Sequence, residues 1–552
     1  MEKRPLYRTR SLLLVIALSF LLALAMGAAA ARAQGRAGGP VVIKYWNPNY
    51  PPELEITRIL SKDLDKLGIK MEIKSSGYDL WVSDIVRGEN PFDLVLCTWG
   101  SSPARFDPNF FLSEIFLSDR SKPGGKNYGY YINDEYDRLV LAQQDEMERK
   151  KRQKLVWKAE EILHRDNAQY ICYFKDYFQA YNSDRIEGAQ PVLGSGVGWP
   201  YIPLTYLNAS PKTDKREITV VNIHGLNSMN PFYTPDVEDM WWLRLIYDPL
   251  VRRNQKLELI PWAAESWKVV DPLNFEITVR KGMKFHDGRP VTVEDLKFTF
   301  DYVKKWKFPN HATIWKLVKE ARIVGDRTVR LVFNKPYAPF EETVLPYIFI
   351  APKHIWEKIP DTVDVDNPVD WTNPKPIASG AYKFAEWKKG EFFHLAANKQ
   401  HFNAPKFDGL YYKVIPTTEG LMAALEKGDA DIVAWNLDAE QAKRLDSFAH
   451  LTSVSTGSVG PTELRPNFKQ KPFADPAFRQ AIKHAVNRRL MLDINYGGHG
   501  IVAPDEPISP ALTFWSNPNL KATEFSLDTA RRILKEAGYT WDKKGRLHYP
   551  KK

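Results

Sequence analysis

The sequence predicts an α/β protein made of at least two lobes. Three observations carry that prediction. A chain of 552 residues is longer than one hydrophobic core can serve. From Val41 onward, short apolar strands alternate with amphipathic helices, the pattern of parallel strands joined by crossover helices. With 44% hydrophobic and 26% charged residues, the composition is that of globular proteins and excludes wholesale disorder and a multi-span membrane protein.

Taken in order, VVIKYW at Val41 to Trp46 reads as a strand, and Glu53 to Lys66 sets Ile56, Ile59, Leu60 and Leu64 on one helical face. Ile69, Met71 and Ile73 alternate as a strand; a helix near Tyr78 to Arg87 and a strand at Asp93 to Cys97 continue the series. Asn133 caps a helical region that runs, with one break, to His164 and turns Leu155, Val156, Ala159, Ile162 and Leu163 inward. The strand Tyr170 to Phe174 follows. Gly188 to Arg216 is loop-like, rich in Gly, Pro, Ser and aromatics, and ends in the charged connector PKTDKRE, which marks a boundary. Beyond it lie a strand at Ile218 to Ile223, a helix near Met240 to Tyr247 and a β-rich stretch containing FEITVRKGMKF. Asp287-Gly288 makes a turn, and Thr292 with Asp295 starts the helix VEDLKFTFDYVKKW in capping-box fashion. Ala477 to Met491 and Ser526 to Ala537 read as helices, the latter closed by Gly538.

Lys3, Arg4, Arg8 and Arg10 precede the apolar run Leu12 to Ala31, and Ala31-Arg32-Ala33 offers small residues for cleavage near Gln34. This is the pattern of a secretory signal peptide over residues 1–33, with an uncleaved membrane anchor as the alternative. Its removal lowers the formal charge from +10 to +6, a mild excess that does not call for nucleic acid. Cys97 and Cys172 sit in apolar strand-like runs and read as buried small residues; export would also permit a bridge between them.

A search for catalysis finds no HExxH, phosphate-binding loop, GxSxG elbow or close cysteine pair. Gly194, Gly196 and Gly198 follow proline-rich loop sequence instead of a strand and read as loop flexibility. His286 and Asp287 are adjacent in a tight turn, where neighbouring side chains point apart. Arg479, Lys483, Arg488 and Arg489 read as a solvated helix face. Nothing here demands an enzyme, a cofactor or a metal. The surplus of aromatics, 13% of the chain, points to large contact surfaces in the core or in a recognition cleft.

The run Ala263 to Val303, AAESWKVVDPLNFEITVRKGMKFHDGRPVTVEDLKFTFDYV, resembles the family 5 extracellular solute-binding proteins, the peptide-binding components of bacterial ABC importers. IYDPLV at Ile246, PIASGAYKF at Pro376, GDADIV at Gly428 and KPFADPAFRQAI at Lys471 follow in that family's order. Val41 to about Asn208, with KLGIKMEI, FDLVLCTWG, NYGYYINDEYDRL and YICYF, is similar to the family's C-terminal portion but stands in front, which implies a circularly permuted chain or a gene rearrangement. The resemblance implies a two-lobed α/β periplasmic binding protein type II fold with mixed sheets and a hinge. In it, 41–210 equals the family's C-terminal portion, mostly second lobe, 217–415 the first lobe with a small β-rich subdomain, and 416–552 the rest of the second lobe. The expected protein is a periplasmic monomer that passes a peptide-like ligand to an inner-membrane permease, without nucleic acid or cofactor.

For the ligand site, the resemblance places aromatic walls at Tyr78 and Trp99, with core packing as the alternative role of each. Trp435 and Asn436 follow the GDADIV strand, and Tyr233 to Asp239, including Val237, forms the facing cleft loop. Peptide-binding members commonly carry Asp three residues after the tryptophan, to pair with the ligand's amino terminus; here the position is Ser102. A serine cannot supply the charge a buried ammonium needs, and Asp107 is the nearest acid in the loop. An oligosaccharide or a blocked or modified peptide therefore stands beside the free peptide as ligand, and a secreted glycan hydrolase is the alternative from a different class.

Overall fold

The computed structural model describes residues 38–87, 92–234 and 236–551. The expected signal peptide lies outside the described residues. The described residues divide into two compact units, one formed by those up to Leu96, Arg465–Asn487 and 524–551, the other by those within Cys97–Leu464 and Arg488–Thr523.

In the first unit the strand Val42–Pro48 pairs in parallel with Lys70–Ser76, beginning with Val42 opposite Lys70, and with Leu94–Thr98 through Tyr45 and Trp46. The crossover is the helix Pro51–Lys66, whose opening prolines give up N–H groups that would have no helical partner anyway. It buries Ile56, Ile59, Leu60 and Leu64, as its spacing predicts. Ile73 departs from the expected alternation and is exposed, because Lys70–Ser76 is an edge strand.

The far end of the sequence returns to this strand. The antiparallel ribbon Thr540–Trp541 with Leu547–His548 is fastened by three main-chain hydrogen bonds: the Val41 N–H donates to the Leu547 carbonyl at 2.7 Å, the Tyr549 N–H to the Gly39 carbonyl at 3.0 Å, and the Leu547 N–H to the Gly68 carbonyl at 2.8 Å. Gly68 has φ +76°, and a Cβ there would lie 2.8 Å from the Leu547 nitrogen, so this turn needs glycine. Residues 39–41 and 547–549 are therefore neighbours. The tail arrives as a separate two-stranded ribbon, not as a further strand of the parallel sheet.

The second unit is built on Tyr170–Asn182, which pairs antiparallel with Leu451–Gly457, Thr462–Pro466, Gly500–Ile501 and Ile432–Val433. The expected strand stopped at Phe174; it runs on because Lys175 and Asp176 remain half-buried between sheet partners. Ile432–Val433 then leads through the parallel strands Glu217–Asn222 and Gly409–Val414 to the antiparallel Phe392–Ala397 and Tyr382–Lys388. A second sheet, ordered Ala264–Asp271, Asn274–Val279, Thr328–Phe333, Val318–Gly325, is wholly antiparallel. The helix Val293–Trp306 covers it and starts with the predicted capping box of Thr292 and Asp295. Leu296, Phe300 and Val303 from that helix join Phe275, Ile277, Val329 and Leu331 in one core.

Two expectations are corrected. Ala477 to Met491 is not one helix but two, Pro476–Ala485 and Arg488–Tyr496. Nor is its basic series a solvated face: Arg479, Lys483 and Arg488 are buried, and only Arg489 is exposed. Arg479 donates to the Phe473 carbonyl at 2.7 Å, while Arg488 grips Asp505 at 2.7 Å and the Ile171 carbonyl at 2.9 Å. Cys97 and Cys172 are buried and form no disulfide.

Glu160, on the helix Arg149–Asp166, is fully buried, and among the described residues neither carboxylate oxygen has a hydrogen-bond partner. Burial, reinforced by the charges of Glu506 and Glu161, holds its carboxyl well above the usual range. The folded chain therefore keeps a proton that the unfolded chain releases near pH 4.3, and stability falls as pH rises beyond that point. Glu160→Gln keeps the shape without the acid. Thermal melting at pH 5 and pH 8 should show a smaller loss of Tm in the variant than in the parent, and an equal loss would reject this assignment.

Candidate ligand-binding site

The loop after Leu94–Thr98 is held by buried polar groups. Asp107 is fully buried and binds Arg152 through both oxygens at 2.6 and 2.7 Å, while also accepting the Asn109 N–H at 2.8 Å. Asn109 is a hub: its side-chain oxygen accepts from Ser113 at 2.7 Å, Gln143 at 2.8 Å and Gln144 at 3.0 Å. Asp107 is therefore committed to the scaffold, and does not replace the acid missing at Ser102. Trp99 is fixed from behind, its indole N–H donating to Glu463 at 2.7 Å and its main-chain N–H to the Pro461 carbonyl at 2.9 Å. Its ring faces the Arg105 guanidinium at 5.3 Å and the Phe110 ring at 5.7 Å.

Beside this loop sits an aromatic cluster that neither spacing nor composition revealed. The Ser101 N–H donates to the Tyr177 hydroxyl at 3.2 Å; Tyr177 meets Trp199 edge-on at 4.9 Å, Trp199 lies 6.0 Å from Trp241, and Tyr201 lies 4.8 Å from Trp241. The Gly194–Gly198 segment positions Trp199 and is tightly fitted, not flexible. The Val197 and Gly198 N–H groups both donate to the Gln179 side-chain oxygen at 2.8 Å, and Gly196, at φ +62°, leaves no room for a Cβ against that amide. The indole N–H groups of Trp199 and Trp241 and the side-chain amide of Gln179 are buried donors with no acceptor among the described residues. Each orphaned donor costs about 1–3 kcal/mol until an acceptor arrives.

A cavity of about 590 Å³ opens on the far side of the loop. Ala104, Asn109, Phe110 and Glu114 form one wall, and segments 309–317 and 334–347 of the antiparallel-sheet region form the other. Arg120, Lys126, Lys316 and Lys335 outnumber Glu114 among the charged groups lining it, so the cavity is basic. Lys126 stands over Phe110 at 5.0 Å, and burial lowers its pKa. His311 is held neutral, its pKa pulled down to about 4 by burial.

The residues expected to bind ligand are placed as follows. Trp99 and Ser102 share the loop just described, Ser102 being half-buried in extended backbone ahead of the turn Pro103–Phe106. Asn436 accepts the Phe178 N–H at 3.3 Å, next in sequence to Tyr177, and Trp435 meets His224 edge-on at 5.2 Å. Tyr233 packs against the core of the antiparallel sheet, and Val237 opens the helix Val237–Ile246. Tyr78 belongs to the first unit, 49% exposed and stacked on Trp81 at 5.8 Å. None of the seven lines the large cavity. Burial, reinforced by the charge of neighbouring Asp236, pushes the carboxyls of Glu238 and Asp239 both up to about 7.

The fold is one of mixed α/β sheets, and comparison with known proteins gives its family. Residues 258–552 match the bacterial extracellular solute-binding proteins, family 5 Middle, and the chain belongs to that family. It is 30% identical over 332 residues to the oligopeptide-binding protein AppA of Bacillus subtilis, covering 58% of this chain and 59% of that one. It is 25% identical over 308 residues to the dipeptide-binding protein of Escherichia coli, covering 51% and 55%. A solved periplasmic oligopeptide-binding protein from Thermotoga maritima shares the fold with a TM-score of 0.50 at 20% identity, covering 60% of this chain and 64% of that one. The chain thus spans under two thirds of the length of these relatives.

Proposed function

We propose that this protein is the substrate-binding component of an ABC importer, exported through a cleaved signal peptide, which captures a peptide-like ligand and delivers it to a membrane permease without chemical turnover. The observation that carries the reading is the set of orphaned donors on Trp199, Trp241 and Gln179 beside the Trp99 loop, in a chain of the solute-binding family. Backbone carbonyls of an extended ligand supply the acceptors those donors lack, and aromatic faces supply buried area at small entropic cost. Ser102, Tyr233, Trp435 and Asn436 complete the proposed contacts. Ser102, with Asp107 tied to Arg152, leaves no acid of this loop for a ligand ammonium. That favours a peptide with a blocked or modified amino terminus, and an oligosaccharide, rich in hydroxyl acceptors, is the second reading. Thermal melting against panels of free peptides, blocked peptides and oligosaccharides tests this: a saturable rise in Tm with one panel and no product supports capture. Product formation supports a hydrolase instead.

The chain order is read as a circular permutation of the family's. Supporting it are the position of Val41 to Asn208 ahead of the matched segment and the bond from Val41 to Leu547. A gene encoding 217–551 followed directly by 38–216 should give a protein that folds and binds the same ligand, since permutation is tolerated where ends are neighbours. Failure of the reordered protein to fold would contradict the reading.

A further inference from the structure

A small void in the larger unit shares no lining residue with the 590 Å³ cavity and has Tyr201 of the aromatic cluster in its wall. It measures about 10 Å³ and is walled by Tyr201, Ile202, Pro203, Pro346 and three arginines, Arg244, Arg252 and Arg253. All three arginines are buried, at 3, 3 and 6% exposure. Their outward hydrogen bonds are few. Arg244 donates to the Pro346 carbonyl at 2.6 Å, Arg252 to the Arg244 carbonyl at 2.6 Å, and Arg253 to Leu257 and Glu342. Four nitrogens remain without an acceptor among the described residues: Nε of Arg244, Nε and Nη1 of Arg252, and Nε of Arg253.

The charges do not balance either. Glu342 meets Arg253 at 2.7 Å, and Asp248 stands 3.9 Å from Arg252 while also holding His401 and the Trp262 indole. Arg244 has no ion-pair partner among the described residues; its guanidinium lies over the Tyr347 ring at 4.9 Å. Burial pulls Arg244 down to about 10 and Arg252 to about 9, and the neighbouring guanidinium adds repulsion in both cases. A buried cation needs a counter-charge, and guanidinium offers only donors. A water in the void would bring two donors of its own into that shell, whereas an anion brings none. That volume is room for the centre of one small particle, enough for a monatomic ion and too little for a carboxylate, phosphate or sulfate.

We propose that the void enclosed by Arg244, Arg252 and Arg253 is a binding site for one monatomic anion of the halide class, chloride in its natural setting, which neutralises the unpaired Arg244. The anion ties the helix Val237–Ile246 to the strand Val251–Arg253 beneath the aromatic cluster. Crystals of the full chain soaked in sodium bromide should show an anomalous difference peak inside the void, in contact with the three guanidinium groups. In solution at constant ionic strength, replacing gluconate by chloride should raise Tm saturably. Arg244→Met keeps the bulk and deletes the unbalanced charge, and should abolish that rise. No bromide in the void, or an equal chloride response in parent and variant, overturns the assignment. Should the variant fail to fold, the bromide experiment on the parent decides.

Discussion

Asp107→Asn is expected to cost about 3–5 kcal/mol of folding stability, the loss typical when one partner of a buried ion pair is removed and the other charge stays behind. Asp107 and Arg152 are both inaccessible, joined by two short hydrogen bonds, and anchor the loop that carries Trp99 and Ser102. Urea denaturation reads the effect. The double variant Asp107→Leu with Arg152→Met removes both charges together and should recover most of the loss, because an apolar pair of similar bulk is tolerated where a lone charge is not. A single-variant loss below about 1 kcal/mol would show that water reaches the pair and that the loop is anchored elsewhere.

Gly460→Ala should damage ligand capture more than overall folding. A Cβ at Gly460 would sit 2.6 Å from the Gly100 carbonyl oxygen and closer still to that of Trp99, so the main chain beneath the tryptophan must move. The same turn holds the loop by a hydrogen bond from the Val459 N–H to the Ser101 hydroxyl at 3.0 Å. Overpacking of this kind costs about 1–3 kcal/mol of stability. Displacing an aromatic wall should weaken binding by about tenfold or more, ~1.4 kcal/mol. Calorimetric titration with the best peptide from the thermal panel measures it, with circular dichroism as the check on folding. Unchanged affinity in a folded variant would remove Trp99 from the site.

The elements legible in the sequence are those whose determinants are local. The helices Pro51–Lys66, Tyr78–Arg87 and Val293–Trp306 stand where apolar spacing and capping residues place them. What escaped depends on partners far along the chain. Arg488 looks like a surface residue until Asp505 and the Ile171 carbonyl meet it, and Tyr170–Asn182 looks shorter until its several partners bury both ends. For the proposed site, Trp99 and Ser102 are the residues to which family motifs point. The cluster of Trp199, Tyr201 and Trp241 was missed, because its residues come from a loop and a helix and meet only in three dimensions. The closely spaced Gly194, Gly196 and Gly198 were the available signal. Glycines without a strand before them can mark close approach to a side chain as readily as mobility, and here the side chain is Gln179.

Capture without turnover is tested most directly by native mass spectrometry of the mature protein, incubated with a mixed pool of oligopeptides, blocked peptides and oligosaccharides and then freed of excess. The proposed function predicts one adduct per chain whose mass, after release by denaturation, equals that of an intact molecule from the pool. A protein that retains nothing, or that releases only cleaved fragments, would contradict it.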